Sequence, residues 1–350
     1  MADTSFRILS VDGGGLRGLV PALILRELEQ RLEAITGESR PLSDWFHLFA
    51  GTSTGGLIAL GLTAPERMDG ERLVSLYRDR GPEIFPPRFR LWRFVRGLFV
   101  VKWSNTALRE VVKAEIGEAP LSQARRDLVV SAYDMTAHEP RFFKRWTARE
   151  REGASNPTMA DAALATASAP TYLPPHEIDG RAFVDGGVFA ANPTIAAIAE
   201  ALKRQSDPPA RPSLDQLFVV SLGTGYYPAE YRPRVLRGWG ALAWVQPRGS
   251  EPALMRAMLD GQTASADHWA HMLLNEEHRN PRVVKDEIGR GPRYWRIESR
   301  YATDFEMDDA RRKTLDSLAA EARARIQDRS EDLDRIARAL AAAGPIPAGE

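Results

Sequence analysis

Short apolar runs alternate along the chain with longer stretches of helical spacing. Residues 6–11 (FRILSV) are an apolar run of strand length that ends in Asp12-Gly13-Gly14-Gly15. Residues 19–35 then place Leu23, Leu28, Leu32 and Ile35 at helical spacing, with Gly37 suited to cap the helix. The pattern recurs. Residues 46–50 (FHLFA) predict a second strand, Gly51 to Gly55 a sharp turn, and Gly56 to Leu62 the start of a buried helix. Further strands are predicted over 127–134 (DLVVSAYD), at Phe183-Val184 ahead of Asp185-Gly186-Gly187, and over 216–222 (QLFVVSL) ahead of Gly223-Thr224-Gly225. Helices are predicted over 158–169, over 193–204 and through the charged stretch 304–343, which stops at Gly344-Pro345. The segment 207–212 (DPPARP) reads as a surface loop. Strands alternating with helices predict an α/β fold, a mostly parallel central sheet sandwiched by helices.

Composition narrows the function classes. The 350 residues carry 47 Lys+Arg against 47 Asp+Glu, and 43% are hydrophobic. That hydrophobic share excludes a disordered chain. The balanced charge argues against a nucleic-acid polymer as partner, which calls for a basic excess. With no cysteine there is no disulfide framework, no Cys-ligated zinc and no thiol nucleophile. No metal-ligand spacing such as H-E-x-x-H occurs. No run approaches ~18 consecutive apolar residues, and MADTSFRILSVDGGG lacks the pattern of a secretory signal. The expected location is the cytoplasm.

Three glycine-containing sites carry candidate chemistry. Gly51-Thr52-Ser53-Thr54-Gly55 is a G-x-S-x-G between a predicted strand and a predicted apolar helix. That context suits a nucleophile elbow, in which a strained turn lifts the serine hydroxyl above the sheet at the positive end of a helix dipole. Gly13, Gly15 and Gly18 fit G-x-G-x-x-G. A dinucleotide site, however, needs an acidic residue about 20 positions on, after a second strand. Glu33 and Glu38 fall within or after a helix instead. Glycines ahead of a helix do point backbone N–H groups in one direction, as an oxyanion hole requires. Asp185-Gly186-Gly187 follows a strand, and a buried carboxylate there can serve a serine as base; taken alone, the ordinary Asp-Gly turn is the stronger reading.

Taken together, these sites resemble the patatin-like phospholipases. The resemblance rests on SVDGGGLRGLVP (10–21), GTSTGG (51–56), and ATASAPTYLPP (165–175) running into VDGGVFAANP (184–193). It extends to SLGTG (221–225), MLDGQTASADHWAHMLL (258–274), YWRIE (294–298) and a helix start at MDDA (307–310). It covers roughly residues 5–340, expected to be a single catalytic domain of three-layer architecture, followed by a 341–350 tail. The resemblance implies a Ser–Asp dyad hydrolase of phospholipid acyl esters that needs no cofactor or metal. Ser53 would be the nucleophile and Asp185 the general base. The amides of Gly13, Gly14 and Gly15 would form the oxyanion hole, with Arg17 supporting that loop.

Rival readings remain at this point. A triad α/β-hydrolase needs a histidine after the acid. His268, His271 and His278 follow Asp185, but none sits in a strand-end loop, and His176 precedes it. A binding protein with a decayed site is opposed by the intact nucleophile, base and glycine loop. Some bacterial patatin-like enzymes of this size are switched on by cyclic nucleotides in anti-phage defence; no nucleotide pocket is identifiable in this sequence. Two segments suit lipid contact. Residues 84–103, within an expected insertion over about 80–110, hold five cations, no acid and six aromatic rings, Trp92 and Trp103 among them. Residues 231–248, within a second over about 228–250, hold Arg232, Arg234, Arg237 and Arg248 around Trp239 and Trp244. Either is expected to dock on a membrane or to pack as a lid. The neutral total thus hides separated patches: residues 304–334 carry ten acids and six bases.

Overall fold

The apolar runs become the centre of one sheet. The computed structural model describes residues 6–86, 101–150, 155–203, 212–245, 251–275 and 293–347. Its strands are β1 (Phe6–Val11), β2 (Leu48–Thr52), β3 (Asp127–Asp134), β4 (Glu139–Lys144), β5 (His176–Ile178), β6 (Arg181–Asp185), β7 (Leu217–Leu222) and β8 (Tyr294–Ile297). They lie in the order β5-β6-β3-β2-β1-β7-β8, with β4 beside β3. The pairs β1–β2, β2–β3, β1–β7 and β7–β8 are parallel, and β3–β4, β3–β6 and β5–β6 antiparallel. The mixed, mostly parallel sheet agrees with the sequence pattern.

Both faces of the sheet are covered, which is why its central strands read as continuous apolar runs. The longer helices are α1 (Leu19–Thr36), α2 (Thr54–Thr63), α3 (Gly70–Arg78), α4 (Thr106–Glu115), α5 (Met159–Ala167), α6 (Thr194–Lys203), α7 (Ala253–Leu274), α8 (Arg312–Asp328) and α9 (Ser330–Ala343). Leu9, Val11 and Val220 pack with α1, α2 and α5 on one face. Ile8, Leu48 and Val219 pack with Ala197 and Ile198 of α6 and Ala270 and Leu274 of α7 on the other. Among the described residues no helix is long and apolar enough to cross a membrane.

The end of β3 positions the site. Along one edge β2 pairs with Asp127 to Ser131, and β6 takes over at Ala132, because β4 occupies the opposite edge from Val129 to Asp134. The two strands therefore meet end to end: Thr52 lies opposite Ser131, and Asp185 opposite Ala132.

Several expectations shift. The second strand runs two residues later than 46–50, since Gly51 and Thr52 continue the ladder against Val130 and Ser131. The turn expected over Gly51 to Gly55 contracts to Ser53, and α2 starts at Thr54. Residues 307–310 do not start a helix. The Met307 carbonyl accepts from the Leu16 amide (2.8 Å) and the Asp308 carboxylate from the Trp103 indole (2.9 Å), so α8 begins only at Arg312. Trp103 is buried against Phe85 (5.6 Å between rings), so the two ends of the 84–103 run pack inward. The rest of that run (87–100), most of the 207–212 loop, Arg248 and His278 lie outside the described residues. In the expected tail, Ile346 is buried and its amide bonds to the Asp44 carbonyl at 2.7 Å.

Candidate active site

Ser53 sits between β2 and α2 with φ 54° and ψ −121°. A side chain is strained there, and the surroundings hold it in place. The Ser53 amide donates to the Thr166 hydroxyl (2.8 Å), and the Ser53 carbonyl accepts from Leu57 (3.1 Å) in the first turn of α2. The flanking glycines are required by close approach. A Cβ on Gly51 would meet the Gly55 carbonyl oxygen at 2.1 Å, and one on Gly55 would meet the Val11 carbonyl oxygen at 2.0 Å. The elbow thus rests against the end of β1.

Asp185 ends β6 and is buried, though it reaches the cavity. Its carboxylate accepts a hydrogen bond from the Gly187 amide at 2.7 Å and lies close enough to the Ser53 side chain to interact with it. Burial pushes the Asp185 carboxyl up to about 6, and the interactions with Ser53 and the Gly187 amide oppose the rise. The Asp185 amide donates to the Ser168 carbonyl (3.0 Å). The 165–175 motif therefore fastens both the serine, through Thr166, and the aspartate, through Ser168.

The glycine loop lies beside the serine. A Cβ on Gly13 would stand 3.4 Å from the Ser53 Cβ. The three glycine amides are not equivalent. That of Gly13 donates to the Ala191 carbonyl (3.0 Å), and the Leu16 amide is taken by Met307. The amides of Gly14 and Gly15 lie between these two anchors. The Arg17 Nε donates to the Gly14 carbonyl (3.3 Å), and its guanidinium lies 3.6 Å from the buried Glu251. Thr224 donates to the Gly13 carbonyl (2.6 Å) and fills the space a Cβ on Gly14 would occupy, at 2.2 Å. Arg296 of β8 donates from Nη1 to Asp12 (3.0 Å) and Ser221 (2.8 Å), and also binds Glu298. The Glu298 carboxylate in turn holds the Gly225 amide at 2.8 Å. SLGTG, YWRIE and MDDA, which had no role as sequence, all grip this loop or the one beside it.

Ser53, Asp185, Gly13, Gly14, Gly15 and Arg17 all line one cavity of about 1430 Å³. One side of it is apolar, built by Leu57, Leu76, Ile84, Leu108, Val111 and Val112. Among the described residues no histidine lines it. His176 is buried on Asp161 (3.0 Å), His271 is buried beside Asn275 (3.3 Å), and His268 is exposed against Trp269.

Fold and site together define an α/β protein whose elbow serine faces a buried carboxylate and a glycine loop at the C-terminal ends of parallel strands. A model of the patatin-like phospholipase family matches residues 9–198. Patatin-like protein 2 of Arabidopsis thaliana is 35% identical over 273 residues, 71% of this chain and 67% of its own length. Patatin-like protein 3 of the same plant is 33% identical over 281 residues, 71% of this chain and 65% of its own. VipD from Legionella pneumophila is a looser structural match, with a TM-score of 0.38 and 12% identity over 92% of this chain and 67% of that one. The chain belongs to the patatin-like phospholipase family, which supports lipid acyl hydrolase activity in general terms.

Proposed function

We propose that the protein is a phospholipase A-type acyl hydrolase that works through a Ser53–Asp185 dyad and an acyl-enzyme. The observation that carries this reading is that Ser53 and a buried Asp185, whose carboxyl is raised to about 6, converge on one large, partly apolar cavity. The Ser53 Oγ attacks the ester carbonyl carbon while Asp185 takes its proton. The carbonyl oxygen becomes an oxyanion and receives the Gly14 and Gly15 amides, while Gly13, held on Ala191, shapes the loop. Each such donor is worth roughly 2.7–4 kcal/mol in the transition state. Collapse breaks the ester bond, and Asp185 returns the proton to the departing alcohol or lysophospholipid. Water then attacks the acyl-enzyme, gives its proton to Asp185, and the fatty acid leaves with Ser53 restored. The apolar side of the cavity takes the acyl chain. Membrane contact through residues 231–248, with 84–103 as a second candidate, would deliver the lipid.

The test is hydrolysis of a p-nitrophenyl ester, followed by lipid mass spectrometry of vesicles incubated with the protein. Ser53→Ala is expected to abolish release of acid and lysolipid. Asp185→Asn is expected to lower turnover about 10²–10⁴-fold, the usual contribution of a positioned base. Hydrolysis retained in Ser53→Ala would end the proposal.

A further inference from the structure

The exposed face of α7 has a property that the chemistry at Ser53 does not use. At about 100° per residue, Leu254, Met258, Gly261, Ser265, Trp269 and Met272 fall within about 80° of one another around the helix. No charged side chain interrupts this line. The opposite face, with Ala253, Ala270 and Leu274, is already buried. Met258 is 51% exposed, Trp269 57% and Met272 41%. The stripe runs about 27 Å at 1.5 Å per residue. Exposed apolar side chains stand at its two ends, Leu254 with Met258 and Trp269 with Met272, joined by the small Gly261 and Ser265, and an uncharged face of this kind marks an interaction site.

The stripe begins at the mouth of the cavity. Leu254 and Met258 are exposed and also line it, as do Val188 and Val245. The short helix Ala241–Val245 packs against α7 and holds Leu242 out at 72% exposure. Just before it, Arg232, Arg234 and Arg237 are exposed, and no acid occurs from Tyr231 to Val245. Rings of Tyr231, Trp239 and Trp244 pack edge to face in series (5.4 and 5.2 Å between centres) and tie that basic stretch to the short helix.

We propose that this surface, the α7 stripe with the 231–245 segment, docks on an anionic phospholipid bilayer and turns the cavity mouth toward the lipid. The inference rests on the acyl-hydrolase reading only for what passes through the mouth. Two observations select a bilayer as the occupant. The apolar face is continuous with the opening of the cavity, so a lipid can pass from membrane to Ser53 without crossing water. The flanking guanidinium groups complement anionic head groups. Trp and Met side chains on one helix face beside arginines are what an element lying in the membrane interface uses.

The test is co-sedimentation of the full chain carrying Ser53→Ala with vesicles of phosphatidylglycerol and phosphatidylethanolamine. Adding Trp269→Glu with Met272→Glu, or Arg232→Glu with Arg234→Glu and Arg237→Glu, is expected to weaken partition about tenfold or more. Neither set lines the cavity. With Ser53 restored, both variants are expected to cleave monomeric p-nitrophenyl butyrate within about twofold of wild type, which also shows that they fold, while vesicle hydrolysis falls with partition. Vesicle binding and hydrolysis unchanged in both variants would overturn the proposal. So would a wild-type dimer that Trp269→Glu turns monomeric while vesicle binding stays, because the face would then be a self-interface. Absent p-nitrophenyl butyrate hydrolysis with Trp269-dependent sedimentation would overturn the acyl-hydrolase reading alone and support docking.

Discussion

In the proposed dyad Asp185 is under two opposed demands. Its burial raises the carboxyl to about 6, yet a base must be ionised to take the Ser53 proton. kcat/KM is therefore expected to rise with pH on an acid limb of apparent pKa near 6 and to level off above it, measured on a soluble ester. The limb should be missing from the residual activity of Asp185→Asn. The same shift has a consequence for stability. The folded state holds this proton more tightly than the unfolded chain does, so the contribution is full below about 3.8 and lost as pH rises through about 6. Asp185→Asn, which keeps the neutral form, is expected to unfold at higher temperature than wild type at pH 8. The gain is on the order of 2–3 kcal/mol and should close toward pH 4. At Ser53 the left-handed φ of 54° is a strain of about 1–3 kcal/mol. Ser53→Gly should therefore be more stable than Ser53→Ala by about 1 kcal/mol in urea unfolding, with both inactive.

At the scale of elements, the site is assembled by contacts far apart in sequence. Thr166 on α5 receives the Ser53 amide from 113 residues away, and Arg296 on β8 reaches Asp12 across 284. Thr166→Val keeps the shape but leaves that amide unpaired, at about 1–3 kcal/mol, and is expected to lower kcat more than it raises KM. Arg296→Met should destabilise by about 3–5 kcal/mol, because the buried Asp12 is left without its cation and beside the partly buried Glu298. Adding Asp12→Asn should recover part of that loss in urea unfolding, a recovery that independent effects would not show. These contacts also mark where sequence reasoning stopped. G-x-S-x-G, the glycine loop and Asp185-Gly186-Gly187 are local signals, since each glycine answers to a backbone close by. The distal motifs were visible as text, but the pairing of Thr166 with Ser53 or of Arg296 with Asp12 has no periodicity to reveal it. The Gly13 amide shows the same limit. Three adjacent glycines look alike in sequence, and only the approach of the Ala191 carbonyl separates the first from the other two.

For the whole molecule, the parallel strands β7, β1, β2 and β3 were legible because strands buried on both faces read as apolar runs, whereas β8, four residues long, showed only as the YWRIE motif. Of the antiparallel wing only β6 was legible, through Phe183-Val184. β4 (EPRFFK) is polar and half-exposed, and β5 has three residues, too short for a pattern. That wing is what turns β6 around and sends Asp185 toward Ser53 from the opposite direction. The zero net charge resolves in the same way, as an average over surfaces that differ: exposed arginines beside an apolar rim near the cavity mouth, and an acidic excess over residues 304–334. The central claim is that Ser53, activated by Asp185, is the nucleophile. The most direct measurement is intact-protein mass spectrometry with peptide mapping after reaction with a fluorophosphonate. A single adduct is expected on Ser53, formed much more slowly in Asp185→Asn and absent in Ser53→Ala. An adduct on another residue, or undiminished labelling of Ser53 in Asp185→Asn, would contradict it.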